Sequence, residues 1–328
     1  MKNLFYTFII LFSSFSFAQD ENETKYNQYI QEAFDLLLAK DYRLASNKFK
    51  AAFDQIDGKA YPNDRYNAAC AYALANSPDT AFFHLFRLAE SENVKYKDYR
   101  HITTDEDLNS LYLDERWSQL MSIVIANKDE YEKDFDKPVV AMLESIHEED
   151  QKYRHQINEI EEKFGRESEE MESHWRLINE KDSINLIKVK KILDEKGWLG
   201  PNIIGYEGNS TLFLVIQHSD LETQLQYLPM MREAVELGNA NPGSLALLED
   251  RVALGQGKPQ IYGSQIGRDM ETGEYYVSPI IDPEQVDERR AKVGLGPLAD
   301  YASHWDIVWS VEEHIKRSLE LNKEKETK

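Results

Sequence analysis

Across residues 25–130, apolar positions recur every three to four residues in paired runs broken by short polar turns, which is the signature of amphipathic helices. "YIQEAFDLLLAKDYRLASNKFKAAFDQID" reads as a helical hairpin turning at Lys40-Asp41, and "DRYNAACAYALANSPDTAFFHLFRLAESEN" as a second turning between Asn76 and Asp79. Aligning the two runs sets Ala33 on Ala69, Leu36 on Tyr72, Ala45 on Ala81 and Phe49 on Leu85, each 36 residues apart. That is the period of a helical repeat. Small residues at the first and third of these positions let helices approach closely, and the large ones fill the groove between hairpins. The following "TTDEDLNSLYLDERWSQLMSIV" predicts closing helices, with Leu108, Leu111, Trp117 and Leu120 covering the last open face.

Residues 136–196 keep helical spacing (Val139, Leu143, Ile146, Tyr153, Ile157, Ile160) but are densely charged. They read as a charged helical segment leading into a second domain, interrupted at Gly165, with a second helix starting near Asp182. Residues 197–305 predict a compact helical domain. It opens with an irregular "GWLGPNIIG", then a nearly all-apolar helix "NSTLFLVIQHSD", a helix kinked at Pro229, and a third helix ended by glycine. "PQIYGSQIGRDMETGEYYVSPI" predicts one β-hairpin turning near Glu271-Thr272-Gly273, and Asp282 is placed to cap the next helix. Residues 306–328 predict a C-terminal helix and a polar tail. The fold class is therefore mainly α: helical-hairpin repeats over 19–135, then a helical domain with one small hairpin.

Composition adds a location. The first eighteen residues join one lysine to an apolar run and end in Ser16 and Ala18 before the polar Gln19-Asp20, the anatomy of a cleaved signal peptide. The expected destination is the periplasm or the extracellular space, with no membrane insertion after cleavage. Removing residues 1–18 moves the formal charge from −21 to −22. Such a surface repels nucleic acid and anionic membranes. Cys70 is the one cysteine, so no internal disulfide forms, and among small apolar neighbours it reads as a core filler.

The first region resembles the tetratricopeptide repeat, without the tryptophan and glycine of that pattern. The resemblance implies a concave surface for a protein or peptide partner; an array this short equally serves to pack on a neighbouring domain. "QHSD", "DRVALGQGKPQIYGSQ" and "DPEQVDERRAKVGLGPLADY", with "GW" at 197–198 and "DQKYR" at 150–154, resemble a bacterial domain family of unknown function numbered 6624. That resemblance supplies positions and a boundary, not a reaction.

The candidate chemistry sits on those motifs. Gln217, His218 and Asp220 end an apolar helix and project from the edge of a core. His218 offers a general base, a metal ligand or a hydrogen-bond donor, and equally a buried imidazole satisfied by a carbonyl. Asp220 is a candidate catalytic acid and also well placed to cap the next helix. Tyr262 and Gln265 suit the orientation of a polar ligand; a tyrosine there also suits a structural hydroxyl bond. Arg289, Arg290, Arg154 and Asp150 are candidate ligand-binding residues. The arginines could clamp an anion or pair with Asp250 or Asp150, and Asp150 and Arg154 can pair with each other at helical spacing. No HExxH, CxxC or phosphate loop occurs, so neither metal nor cofactor is expected. The expectation is an exported protein with a repeat array for protein–protein interaction and a C-terminal binding or structural module. The alternative is an uncharacterised enzyme with one pocket around His218, Tyr262 and Gln265.

Overall fold

The structure, a computed structural model, describes the backbone of residues 4–269 and 272–326 and the side chains of 21–269 and 272–319. The expected leader, 1–18, rests on side chains outside the described residues. The fold is mainly α, with fifteen α-helices and one two-stranded antiparallel sheet among the described residues. No described helix is long and apolar enough to cross a membrane. The chain forms two compact units, Met1–Lys133 and Asp134–Lys328.

In the first unit, α1 (Leu4–Leu38) and α2 (Tyr42–Gln55) form one hairpin, and α3 (Pro62–Leu74) and α4 (Pro78–Ala89) form another. Both turns are built alike. Lys40 N–H bonds the Leu37 carbonyl and Asp41 N–H the Leu36 carbonyl, while 36 residues on Asn76 N–H bonds Ala73 and Ser77 N–H bonds Tyr72. Lys40 and Asn76 share a left-handed conformation, φ 60° and 56°, which is how a helix commonly stops when its last carbonyls find local donors. Ala33, Ala45, Ala69 and Ala81 are all 0% exposed; longer side chains would hold the helices apart. The second hairpin packs with α5 (Tyr99–Thr104), a 3-10 turn at Glu106–Leu111, and α6 (Glu115–Tyr131). Leu108, Leu111 and Leu120 are buried there and Trp117 packs against them.

In the second unit, α7 (Lys137–Arg154), α8 (Ile157–Phe164), α9 (Glu169–Lys196), α10 (Pro201–His218), α11 (Leu221–Glu236) and α12 (Pro242–Gly255) come first. One core takes Leu143 and Ile146 from α7, Val189 and Leu193 from α9, Leu212 and Ile216 from α10, Met231 from α11 and Leu248 from α12. The charged segment 136–196 is thus part of this core, not only a lead-in to it. Its second long helix begins at Glu169 instead of near Asp182. Ser168 accepts the Met171 N–H at 3.1 Å, and three glutamates in the first turn complement the helix dipole. Gly205, at φ 71°, breaks the helical conformation within α10, which accounts for the irregular entry.

A smaller core gathers Val277, Ile280, Val286, Leu298 and Ala302. It lies among β1 (Ile266–Arg268), β2 (Tyr275–Val277), α13 (Val286–Lys292) and α14 (Leu298–Ser303); α15 (Val311–Glu326) follows. The strands pair in the register Ile266↔Val277. Of the expected turn, Glu271 lies outside the described residues and Gly273 has φ 79°. Asp282 is itself left-handed, with φ 42° and no side-chain capping bond, so a 3-10 turn rather than a capped α-helix starts there.

The stretch "GKPQIYGSQ" is not part of a strand up to Gln265; β1 starts at Ile266. Its organiser is Asp250 of α12, 0% exposed. The Asp250 carboxylate accepts the N–H groups of Ile261, Tyr262 and Ser264 at 2.6, 2.9 and 2.9 Å. The buried Gln260 amide stands in for a strand partner: it donates to the Gln265 and Ser278 carbonyls and accepts the Gln265 N–H. Gly263 has φ 72°, and a Cβ there would lie 2.9 Å from both Ile280 and Leu298. Glycine is required on both counts.

Two outcomes follow for stability. Asp250→Ala strands three amide donors, that of Ser264 buried, at a cost of roughly 3 kcal/mol; a denaturant midpoint unchanged from wild type would contradict this role. In the first unit, Arg65 Nη1 donates to Nδ1 of buried His84 at 3.3 Å. Burial, reinforced by the charges of Arg65 and Arg87, pushes that imidazole down to about 4. An unfolded imidazole titrates near ~6.5, so below that pH the unfolded chain binds a proton the folded chain refuses. Stability is therefore lost as pH falls from about 6.5 towards 4, by about 3 kcal/mol in total. Urea unfolding of the whole chain across that range should show this slope in wild type and a shallower one in His84→Gln. Equal slopes would contradict it.

Candidate functional site

Leu143, Ile146 and Asp150 lie three and four residues apart on α7, so the helix that buries the two apolar side chains delivers the carboxylate to the same inward face. Asp150 is 1% exposed. Its carboxylate is met from α10 by His218, with Nδ1 3.1 Å from Oδ1. Gln151 Nε2 donates to Oδ2 at 2.7 Å, and Arg154 Nη1 lies 3.2 Å from Oδ1. Arg154 also holds Asp182 of α9 through two bonds of 3.0 and 2.7 Å. Burial by itself raises the Asp150 pKa, but the hydrogen bond and charge of His218, with the charge of Arg154, hold it below the usual aspartate value. Asp150 is therefore an anion at neutral pH and fixes the tautomer of its partner, with the proton on Nδ1. His218 Nε2 has no hydrogen-bond partner among the described residues.

A cavity of about 200 Å³ opens beside this pair, walled by Asp150, Asn179, Asp182, Ser183, His218 and Ser219. Neither serine is poised as a nucleophile: Ser183 donates to the Asn179 carbonyl and Ser219 to that of Ile216. Asp220 also lines the cavity. It caps α11, accepting the Thr223 N–H at 2.7 Å, and this bond keeps its carboxyl below the usual range. Gln217 is 8% exposed, and its Oε1 is buried with no partner.

Tyr262 and Gln265 are not among the walls of this cavity. Asp250 draws residues 261–264 onto α12 and leaves the Tyr262 hydroxyl 3.5 Å from Glu249 of the same helix. Burial, with Glu249 and Asp250 nearby, raises the Tyr262 phenol, away from proton transfer at neutral pH. The Gln265 amide donates to Ser264 Oγ at 3.0 Å. The two arginines bind neither carboxylate nor open space. Arg289 donates to the carbonyls of Ile261, Ile281 and Asp282. Arg290, 3% exposed, donates to those of Gly296 and Tyr262 and lies over the Tyr301 ring. Both tie the loops around the small core together.

Sequence reasoning missed one participant and one contact. Asp182 lies in a helix whose start was misplaced, and the Asp150–His218 contact joins residues 68 apart, beyond the reach of spacing rules. One signal was present: the apolar stripe of α7 runs on into a carboxylate. Away from this site, one group among the described residues has metal-ligand proximity: Cys70, Asp105 and Asp107 offer ligand atoms within 4.8 Å of one another. Asp105 is already engaged by the Tyr66 hydroxyl at 2.9 Å and the Asp107 N–H at 3.0 Å. Burial and Asp105 raise the Cys70 thiol, so it is a protonated donor.

No curated protein and no solved structure matches the chain. A family model does match, over residues 134–311, which takes in α7 to α14 and with them the Asp150–His218 pair and the Asp250 loop; by this match over more than half its length, the chain belongs to the family of unknown function DUF6624.

Proposed function

We propose that the second unit carries a histidine general base, set by Asp150, that activates water for attack on a small polar substrate in the neighbouring cavity. The observation that carries this reading is the 3.1 Å contact between His218 Nδ1 and a carboxylate that is 1% exposed. A buried anion on Nδ1 leaves Nε2 as the basic edge and stabilises the imidazolium that forms when Nε2 takes a proton. Water is the nucleophile in this reading, because both serines of the cavity donate to helix carbonyls. Those engaged hydroxyls also support a second reading, in which the cavity binds a ligand without transforming it. The first unit, with alanine-packed hairpins and matching turns 36 residues apart, is proposed as a tetratricopeptide-like array that recruits a protein or peptide. Export is proposed from the leader-like start, MKNLFYTFIILFSSFSFA.

Hydrolysis of p-nitrophenyl acetate, p-nitrophenyl phosphate and an aminoacyl anilide by the full chain tests the base. His218→Gln and Asp150→Asn should each lower the rate on the accepted substrate by about 100-fold or more, the range of a lost general base. Tyr262→Phe should leave it unchanged. Equal rates in wild type and a folded His218→Gln chain would refute the base and leave the binding reading standing.

A further inference from the structure

Apart from the Asn179 amide, the polar side chains that wall the His218 cavity have acceptors to offer and no donor to spare. A serine hydroxyl has one proton to give and two lone pairs. Ser183 gives its proton to the Asn179 carbonyl at 2.8 Å, and Ser219 gives its own to the Ile216 carbonyl at 2.7 Å. His218 Nδ1 is taken up by Asp150, which leaves the lone pair of Nε2. The other polar walls are the carboxylates of Asp150, Asp182 and Asp220, and no lysine or arginine lines the cavity. Arg154 pairs with Asp150 and Asp182 but is not itself a wall. Asp220 is in no ion pair among the described residues; the charge of Lys190 acts on it, yet the Lys190 ammonium is given to Gln226. Three carboxylates against one guanidinium leave the cavity with an excess of negative charge. Its apolar walls are Leu186 and Val215, and its volume of about 200 Å³ is below the ~300 Å³ at which pockets for drug-sized ligands begin. It has room for one small group.

We propose that the molecule entering the His218 cavity carries a primary ammonium group, held by the carboxylates and hydroxyl oxygens of its walls. This rests on the reading of the cavity as a substrate or ligand site, and it names the class of that molecule. An ammonium has three donors and no acceptor, the complement of walls that supply acceptors and negative charge. A carboxylate or phosphate would meet like charge, with the Asn179 amide as its one donor among the walls. A quaternary ammonium has no N–H to give, and no aromatic ring lines the cavity to receive it. The methylene next to a primary ammonium suits Leu186 and Val215.

The test is a titration of the full chain with ethylammonium chloride, read by ligand-observed saturation-transfer NMR, beside tetramethylammonium chloride and sodium acetate at matched ionic strength. Wild type should give a saturable response to ethylammonium, a weaker one to tetramethylammonium and none to acetate. Asp220→Asn keeps a side chain able to cap α11 and removes one wall charge, so the Kd for ethylammonium should rise about threefold. Glu284→Gln removes the same charge from an exposed residue that is not a wall and should leave that Kd unchanged, which separates the cavity from the general acidity of the chain. His218→Gln should still bind ethylammonium, so a failed hydrolysis assay and a failed ammonium site remain distinguishable. Should Asp220→Asn not fold, Ser183→Lys at an exposed helix position replaces it, with its added cation expected to abolish binding. No saturable response in wild type, acetate bound as tightly as ethylammonium, a Kd unchanged in the folded wall variant, or the same rise in Glu284→Gln would overturn the proposal.

Discussion

A carboxylate removed from water must be matched by donors or positive charge, and the second unit depends on how it meets this constraint twice. Asp150 and Asp250 are 1% and 0% exposed. Asp250 is matched by backbone N–H groups alone, and the result is rigid: a loop wrapped on a helix end, with no titratable partner. Asp150 is matched by side chains, an imidazole and a guanidinium from different turns and helices. The result is an anion held between side chains of two helices. The same residue type thus builds a scaffold in one place and, on the proposed reading, a reactive edge in the other, and the difference lies in the donors.

The two arrangements sit on different helices of one core. α12 carries Asp250, whose carboxylate is matched by backbone amides, next to Arg251, whose Nε is buried without a hydrogen-bond partner. α7 carries Asp150 and Arg154 one turn apart, and through Arg154 reaches Asp182 on α9. Helices that supply the apolar core also fix the polar groups at their ends. The site therefore inherits its geometry from packing rather than from mobile loops, which favours preorganisation.

The helical fold was legible because its apolar spacing is regular. Ala33, Ala45, Ala69 and Ala81 mark the hairpins in the sequence itself, since small residues at that interval suit a close helix contact. The site was legible in part. His218 and Asp150 stood out singly, but their contact depends on how α7 and α10 cross, and no local pattern encodes a crossing. Residues 259–265 carry no charged side chain, as a ligand pocket does, yet their backbone groups are engaged by Asp250, Gln260 and two arginines. Composition does not distinguish a polar group turned toward a guest from one turned toward the protein's own backbone. The start of α9 was written in Ser168 and the glutamates after it, and the dense charge obscured it.

The claim on which the functional reading stands is that Asp150 holds the His218 proton on Nδ1 and leaves Nε2 bare. Long-range ¹⁵N–¹H correlation NMR of the full chain, with the His218 ring assigned by loss of its signals in His218→Gln, reads this tautomer directly. The expected spectrum has a protonated Nδ1 and an unprotonated Nε2 in the neutral ring, reverting to a mixture of tautomers in Asp150→Asn. A neutral His218 carrying its proton on Nε2, or a tautomer mixture unaffected by Asp150→Asn, would contradict it.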